Sequence, residues 1–203
     1  VQLLGTLVHS YLVIIGRIGI IMTKHLILLG DSIFDNGVYV ELGQNDVTAH
    51  LERKLVSLDW TLDMRAVDGS VVSDVVNQLS HKPISPPCTF VLSVGGNDAL
   101  GHLEGILSLG LADFYTIKEG FRKGYTRALD SILDYEQPLI VCTIYNPNMP
   151  EPEMQILAEA GLSFFNDVIT EEALRRKLPI IDLREVCSAD RKSTRLNSSH
   201  TSI

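Results

Sequence analysis

Three short segments of the sequence place small polar side chains next to glycine, a combination that suits a tight turn beside a reacting group. They are Gly30-Asp31-Ser32, Asp68-Gly69-Ser70 and Gly95-Gly96-Asn97-Asp98. The Ser32 hydroxyl is a candidate nucleophile, although it needs a base within hydrogen-bond reach. A main-chain N–H at Gly69 and the Asn97 carboxamide are candidate oxyanion donors, each worth about 3–4 kcal/mol in a transition state. Taken alone, each segment is also explained as a turn followed by a helix cap.

Each segment follows an apolar run that predicts a buried strand. The predicted strands are residues 25–30, 60–67, 89–94, 138–144 and 179–183, and the predicted helices are 46–58, 70–79, 114–135 and 153–177. This alternation predicts a three-layer α/β/α fold, with a five-stranded parallel sheet in the flavodoxin-like order 2-1-3-4-5. Because ligands bind at the carboxyl ends of such strands, and the first three strands are neighbours in this order, the three segments are expected around one cleft.

At these segments the sequence resembles a known family. Leu28-Leu29-Gly30-Asp31-Ser32-Ile33 resembles the first block of the SGNH/GDSL hydrolases, a family of serine esterases. Gly69 stands where the second-block glycine is expected, and Gly95-Gly96-Asn97-Asp98 is similar to the third block, G-x-N-D. The resemblance covers residues 24 to about 185. The G-x-S-x-G nucleophile elbow of the α/β-hydrolases is absent from the sequence.

The resemblance implies the SGNH hydrolase fold and a serine esterase mechanism. It implies that Ser32 is the nucleophile, and that the oxyanion hole consists of the Ser32 and Gly69 N–H groups and the Asn97 amide. The expected activity is hydrolysis of a small-molecule ester through an acyl-enzyme on the serine. The particular ester is not indicated by the sequence.

The family's fourth block, D-x-x-H, which supplies the catalytic base, does not occur in the sequence. His200 follows Asp190 by ten residues and does not match that spacing. We expect a chain truncated before this block, which would be weakly active or inactive although the intact protein is an esterase. The alternative is a branch of the family without this histidine. His102, five residues after Asn97, would then be a weak candidate for a substitute base, although an ordinary polar residue on the following helix is the simpler interpretation.

Two other functions are compatible with the fold. One is a non-catalytic α/β module that binds a small molecule and has lost its catalytic base. The other is a flavodoxin-type nucleotide or phosphate binder, which lacks support because the sequence has no G-x-G-x-x-G or P-loop signature. No metal or cofactor is expected, since Cys88, Cys142 and Cys187 lack metal-type spacing. Cys88 and Cys142 lie in or beside predicted strands and are expected to be buried free thiols.

Composition and the two ends set the remaining expectations. A chain of 203 residues with 45% hydrophobic residues is consistent with one domain, and a net charge of −8 argues against nucleic-acid binding. We expect the domain to cover residues 22–188, after an extension at 1–21 that is upstream translation or a degraded anchor, and before a disordered, non-native tail at 189–203. Polar residues interrupt the extension, so no membrane span is expected. We expect the protein to be cytoplasmic, or to be secreted or membrane-anchored if the extension is native. The sequence does not indicate the oligomeric state.

Overall fold

A computed structural model of the protein describes residues 25–40, 44–56, 58–102 and 110–185. The predicted extension at 1–21 and the predicted tail at 189–203 lie outside these ranges, as do Cys187, Asp190 and His200. The described strands are β1 (His25–Gly30), β2 (Thr61–Met64), β3 (Thr89–Ser93), β4 (Leu139–Cys142) and β5 (Ile180–Ile181). They form one five-stranded sheet in the order β2-β1-β3-β4-β5. Every neighbouring pair is parallel, which confirms the predicted topology.

Helices connect the strands. They are α1 (Val47–Val56), α2 (Val75–Ser80), α3 (Gly96–Leu100), α4 (Leu111–Leu133) and α5 (Pro152–Arg175), with short 3-10 turns at Gly37–Tyr39 and Val72–Asp74. None of the helices in the described ranges is long and apolar enough to span a bilayer.

The predicted helix at residues 70–79 divides into a 3-10 turn and the short helix α2. The Val72 N–H donates to the Asp98 carboxylate, 2.9 Å away, instead of to a carbonyl of the preceding turn. Valines at 71, 72, 75 and 76 also restrict side-chain rotamers against the preceding turn of an α-helix. The valine-rich stripe therefore packs on the sheet although only its second half is α-helical.

Alternate residues of each strand face opposite layers. Ile27 and Leu29 of β1 pack in a core with α2, α4 and α5. Leu26 and Leu28 pack on the other face with α1 and Phe34. All four side chains are fully buried, so β1 is covered by packed side chains on both faces of the sheet. Cys88 and Cys142 are buried free thiols, as predicted.

Candidate active site

The turn after β1 carries Ser32 and lies against the end of β3. Gly30 has φ +127°, and a Cβ atom at this position would lie 1.7 Å from the Ser93 carbonyl oxygen, so only glycine is compatible with this approach. The Asp31 N–H donates to the same carbonyl at 3.0 Å. These contacts fix the start of the turn, and the half-buried Ser32 follows directly.

The buried side chain of Gln78, on α2, connects this turn to the loop after β2. Its Oε1 accepts from the Gly30 N–H and its Nε2 donates to the Gly30 carbonyl, each at 2.8 Å. The same Nε2 lies 3.1 Å from the Ser70 hydroxyl. One carboxamide thus links the strand end before Ser32 to the residue after Gly69.

The third segment begins where β3 ends. Gly95 has φ +121°, in the region that favours glycine, and it precedes α3. The Asn97 Nδ2 donates to the Ser70 carbonyl at 2.9 Å. An amide nitrogen carries two hydrogens, so one remains for another acceptor. The Asp98 carboxylate accepts from the Val72 N–H, which ties α3 to the 3-10 turn before α2.

Ser32 and Asn97 line the same cleft, at the carboxyl ends of β1, β3 and β4. Gly69 is not among the residues that line it; this exposed glycine lies beside it, one residue from the Ser70 carbonyl that contacts Asn97. A Cβ atom built on Gly69 would have no heavy atom within 4 Å, so the space above this backbone is open. The cleft has a volume of about 360 Å³ and is lined by Asp31, Ser32, Ile33, Ser93, Val94, Gly96, Asn97, Leu100, Ile144 and Tyr145.

The main-chain N–H groups of Ser32 and Gly69 donate no hydrogen bond to any described residue, whereas those of their sequence neighbours do. Asp31 donates to Ser93 and Ile33 to the Asp31 carboxylate. In the second loop, the Asp68 N–H donates to Asp35 at 2.9 Å and the Ser70 N–H to the Val67 carbonyl at 3.1 Å. Two unpaired donors thus belong to the two residues that the sequence predicted to contribute N–H groups to an oxyanion hole.

Two carboxyl groups belong to the segments that carry Ser32 and Asn97. Asp31 lines the cleft and is 5% exposed, and burial raises its pKa to about 6. The hydrogen bond from the Ile33 N–H opposes this shift, and the nearby Asp98 increases it. Burial also raises the pKa of Asp98, and the hydrogen bond from the Val72 N–H opposes that shift. Burial therefore favours the neutral form of both carboxyls.

The structure does not bring a histidine to the Ser32 cleft within the described residues. His102 lies in the turn after α3 and lines a neighbouring apolar pocket instead. The Ser32 hydroxyl has no hydrogen-bond partner in the described part of the chain. The roles of Ser32, Gly69, Asn97 and His102 remain predictions.

Two positioning groups were not found from the sequence. Gln78 is a polar residue within the apolar stripe of the predicted helix at 70–79. This position is the sequence feature that could have identified it, because a buried carboxamide needs hydrogen-bond partners. Asp35, which accepts from the Asp68 N–H, carried no signal that distinguishes it from a surface carboxylate. The Tyr39 hydroxyl donates to the Asp68 carboxylate at 2.9 Å, which adds a second link between the first two loops.

A comparison with protein families finds one match over most of the chain. The sequence profile of the GDSL-like Lipase/Acylhydrolase family matches residues 28–202. No curated protein matches the chain.

Solved structures with a similar fold come from esterases and lipases. An acetyl xylan esterase, AlAXEase, has a TM-score of 0.61 at 20% identity, covering 85% of this chain and 84% of its own. A phospholipase A1 from Streptomyces albidoflavus NA297 has a TM-score of 0.58 at 18% identity, covering 80% of each chain. AlinE4, an SGNH-hydrolase family esterase, has a TM-score of 0.53 at 16% identity, covering 80% of this chain and 78% of its own.

At these identities the structural likeness establishes the fold, and the profile match establishes the family. The parallel sheet in the order 2-1-3-4-5, flanked by helices, is the SGNH hydrolase α/β fold. The chain belongs to the GDSL-like lipase/acylhydrolase family.

Proposed function

We propose that the protein hydrolyses carboxylic esters, with Ser32 as the nucleophile and an oxyanion hole formed by the Ser32 N–H, the Gly69 N–H and the Asn97 amide. The observation that carries this proposal is that the Ser32 and Gly69 N–H groups donate to no described residue, while Asn97, which lines the cleft with Ser32, donates one amide hydrogen to the Ser70 carbonyl. Ser32 is half-buried and Gly69 is exposed, so water reaches both N–H groups in the free protein, and a developing oxyanion would replace that water as their acceptor. Membership of the acylhydrolase family supports the same reaction class.

The proposed reaction has two halves. The Ser32 oxygen attacks the ester carbonyl carbon, and its proton passes to a base and then to the leaving alcohol oxygen as the C–O bond breaks. Water then attacks the acyl group on Ser32, its proton passing through the base to the Ser32 oxygen as the carboxylic acid leaves. In both halves the carbonyl oxygen becomes negatively charged and accepts hydrogen bonds from the three donors.

The oxyanion donors are held before substrate arrives. Gln78 fixes the strand end that precedes Ser32 and the Ser70 hydroxyl, while the Ser70 carbonyl holds the Asn97 amide. Such preorganisation is what makes fixed donors effective, because they do not have to reorient during the reaction. The described lining of the cleft contains Ser32 and Asn97, but it contains neither Gly69 nor a histidine that could act as the base.

A serine-reactive fluorophosphonate probe and a p-nitrophenyl butyrate assay test the proposal on the full chain. We expect the probe to label Ser32, and Ser32→Ala to lose both the labelling and the ester turnover of the wild-type chain. Ser73→Ala is the matched control, because Ser73 is exposed and lies outside the cleft. Equal turnover in wild type and Ser32→Ala would remove the nucleophile assignment.

A non-catalytic binding module is the second candidate function. The observation that favours it is the Ser32 hydroxyl, which has no base beside it in the described residues. A serine without a base is barely nucleophilic. Absence of both labelling and turnover in the wild-type chain would support this alternative.

A further inference from the structure

An apolar pocket, with about 610 Å³ of empty space when the open solvent at its mouth is included, lies beside the Ser32 cleft. It lies between α3, α4, α5 and the loop after β4. We propose that this pocket binds the alkyl chain of a medium-chain acyl ester while the ester carbonyl lies at Ser32, an inference that rests on the function proposed above.

The pocket and the cleft share a wall. Leu100, at the end of α3, lines both. The same short helix contributes Asn97 to the cleft and Ala99 to the pocket. The loop after β4 likewise contributes Tyr145 to the cleft and Met149 to the pocket. A chain attached to a carbonyl at Ser32 therefore reaches the pocket by passing over Leu100.

The side chains that line the pocket favour a hydrocarbon ligand over a polar one. Of the described residues that line it, His102 and Lys118 are the two with ionisable side chains, and the Lys118 ammonium lies 3.6 Å from the Asp167 carboxylate. A sugar or a headgroup would lose hydrogen bonds to water in such a site and find few replacements, which is unfavourable. An alkyl chain has no such loss, and each methylene removed from water adds to binding.

The aromatic walls are fixed by stacking. The rings of Phe114 and Phe164 stack with centroids 5.5 Å apart, and those of Phe121 and Phe165 meet edge to face at 4.8 Å. Each pair joins α4 to α5. The Leu100 side chain is 55% exposed and that of Phe164 is 39% exposed, so a bound chain would cover apolar surface that now faces water.

Room for the chain exists because α5 presents small residues here. Ala158 and Gly161, one helical turn apart, both line the pocket. Because Gly161 lines the pocket, we expect a leucine at this position to take up part of the space proposed for the chain. It would also suit a helix better than glycine, so the substitution is expected to keep the fold. Gly161 is therefore the residue at which chain length can be tested.

The test is kcat/KM for p-nitrophenyl acetate, butyrate, octanoate and laurate with the full chain. A fully buried methylene strengthens binding about fourfold, so we expect kcat/KM for the octanoate ester to exceed that for the butyrate ester by at least about tenfold. In Gly161→Leu, kcat/KM for the octanoate and laurate esters should fall by at least about tenfold, while kcat/KM for the acetate ester changes by less than about twofold. Gly120→Leu is the matched control, because Gly120 is an exposed helical glycine of α4 outside the pocket.

The outcomes separate this inference from the proposed function. Two results would overturn the acyl pocket and leave the esterase function standing. One is a Ser32-dependent kcat/KM that falls steadily from acetate to laurate. The other is an equal loss of kcat/KM for acetate and octanoate in Gly161→Leu. If no ester is hydrolysed, calorimetric titration with octanoate decides. Binding that is lost in Gly161→Leu and kept in Gly120→Leu supports the pocket, and absence of binding in wild type overturns it. Another segment of the chain seated in the pocket would give this last result.

Discussion

Gln78 pairs with both main-chain polar groups of Gly30, at 2.8 Å each, although the two residues are 48 positions apart. The contact supports two loops of the candidate active site, since Gly30 precedes the Ser32 turn and Gln78 also donates to the Ser70 hydroxyl. Ser70 in turn holds the Asn97 amide through its carbonyl. One buried carboxamide therefore connects all three loops, two of them directly and the third through Ser70.

Gln78→Met should destabilise the fold and lower esterase turnover. Methionine has a similar length but leaves the Gly30 N–H without a partner, at about 1–3 kcal/mol for a buried group. The Gly30 carbonyl keeps the hydrogen bond that it accepts from the Val67 N–H at 3.1 Å. Urea unfolding measures the loss. Because the residue acts on the positions of Ser32 and Gly69, kcat should fall more than KM rises, and fluorophosphonate labelling should slow.

The neighbouring Asn77 supplies the matched control for this substitution. Asn77 is exposed on the same helix, so Asn77→Met should change the free energy of unfolding by less than about 0.5 kcal/mol. Unchanged turnover in a stably folded Gln78→Met would mean that the carboxamide does not position the loops.

Gly30 and Gly69 both have positive φ, yet they should respond differently to alanine. Gly30→Ala would bring a Cβ atom to 1.7 Å from the Ser93 oxygen, so little folded protein is expected. At Gly69, with φ +80° and open space around the added atom, Gly69→Ala should cost only about 1–2 kcal/mol of backbone strain. Expression yield and urea midpoints compare the two, and equal losses would contradict the steric difference.

Much of this architecture follows from the sequence because its signals are local. Short apolar runs such as residues 89–94 identify buried strands, and the alternation of strands with amphipathic helices fixes the parallel order. The segments that contain Ser32 and Asn97 could be assigned to one cleft because the carboxyl ends of neighbouring parallel strands meet. The fold and the placement of these two residues in one cleft could therefore be predicted from local sequence patterns.

Other features depend on contacts between distant parts of the chain. The burial of Asp31 results from the approach of β3, and nothing in the adjacent sequence indicates it. The separation of Gly69 from the residues lining the cleft depends on the Asp35 and Tyr39 links that hold its loop. The break in the predicted helix at 70–79 results from the Asp98 carboxylate, which comes from the next loop. Local patterns do not specify such tertiary hydrogen bonds.

Tyr125→Phe should be neutral or stabilising by about 1 kcal/mol. The Tyr125 hydroxyl is buried and finds no hydrogen-bond partner among the described residues, and burial raises its pKa. Removing an unpaired buried hydroxyl recovers its desolvation cost, and the ring that stacks on Phe121 at 5.6 Å is kept. Thermal unfolding measures the change. Tyr115→Phe, at an exposed position of the same helix, is the control, and a loss above about 1 kcal/mol in Tyr125→Phe alone would reveal a hidden partner for the hydroxyl.

Asp31→Asn should remove part of the pH dependence of stability. Burial raises the pKa of Asp31 from 3.8 to about 6, so the fold favours the neutral carboxyl. The neutral Asp31 carboxyl makes its full contribution to the free energy of unfolding below about pH 4. This contribution, about 3 kcal/mol, is lost as the pH rises through about 6. Asparagine stays neutral and keeps an oxygen for the Ile33 N–H, so the variant should lose less stability than wild type in urea unfolding between pH 4 and 8. Asp134→Asn, at an exposed position, is the control and should show the same dependence of unfolding free energy on pH as wild type. If Asp31→Asn also shows the wild-type dependence, the pH dependence does not come from Asp31. It would then belong to other groups such as Asp98.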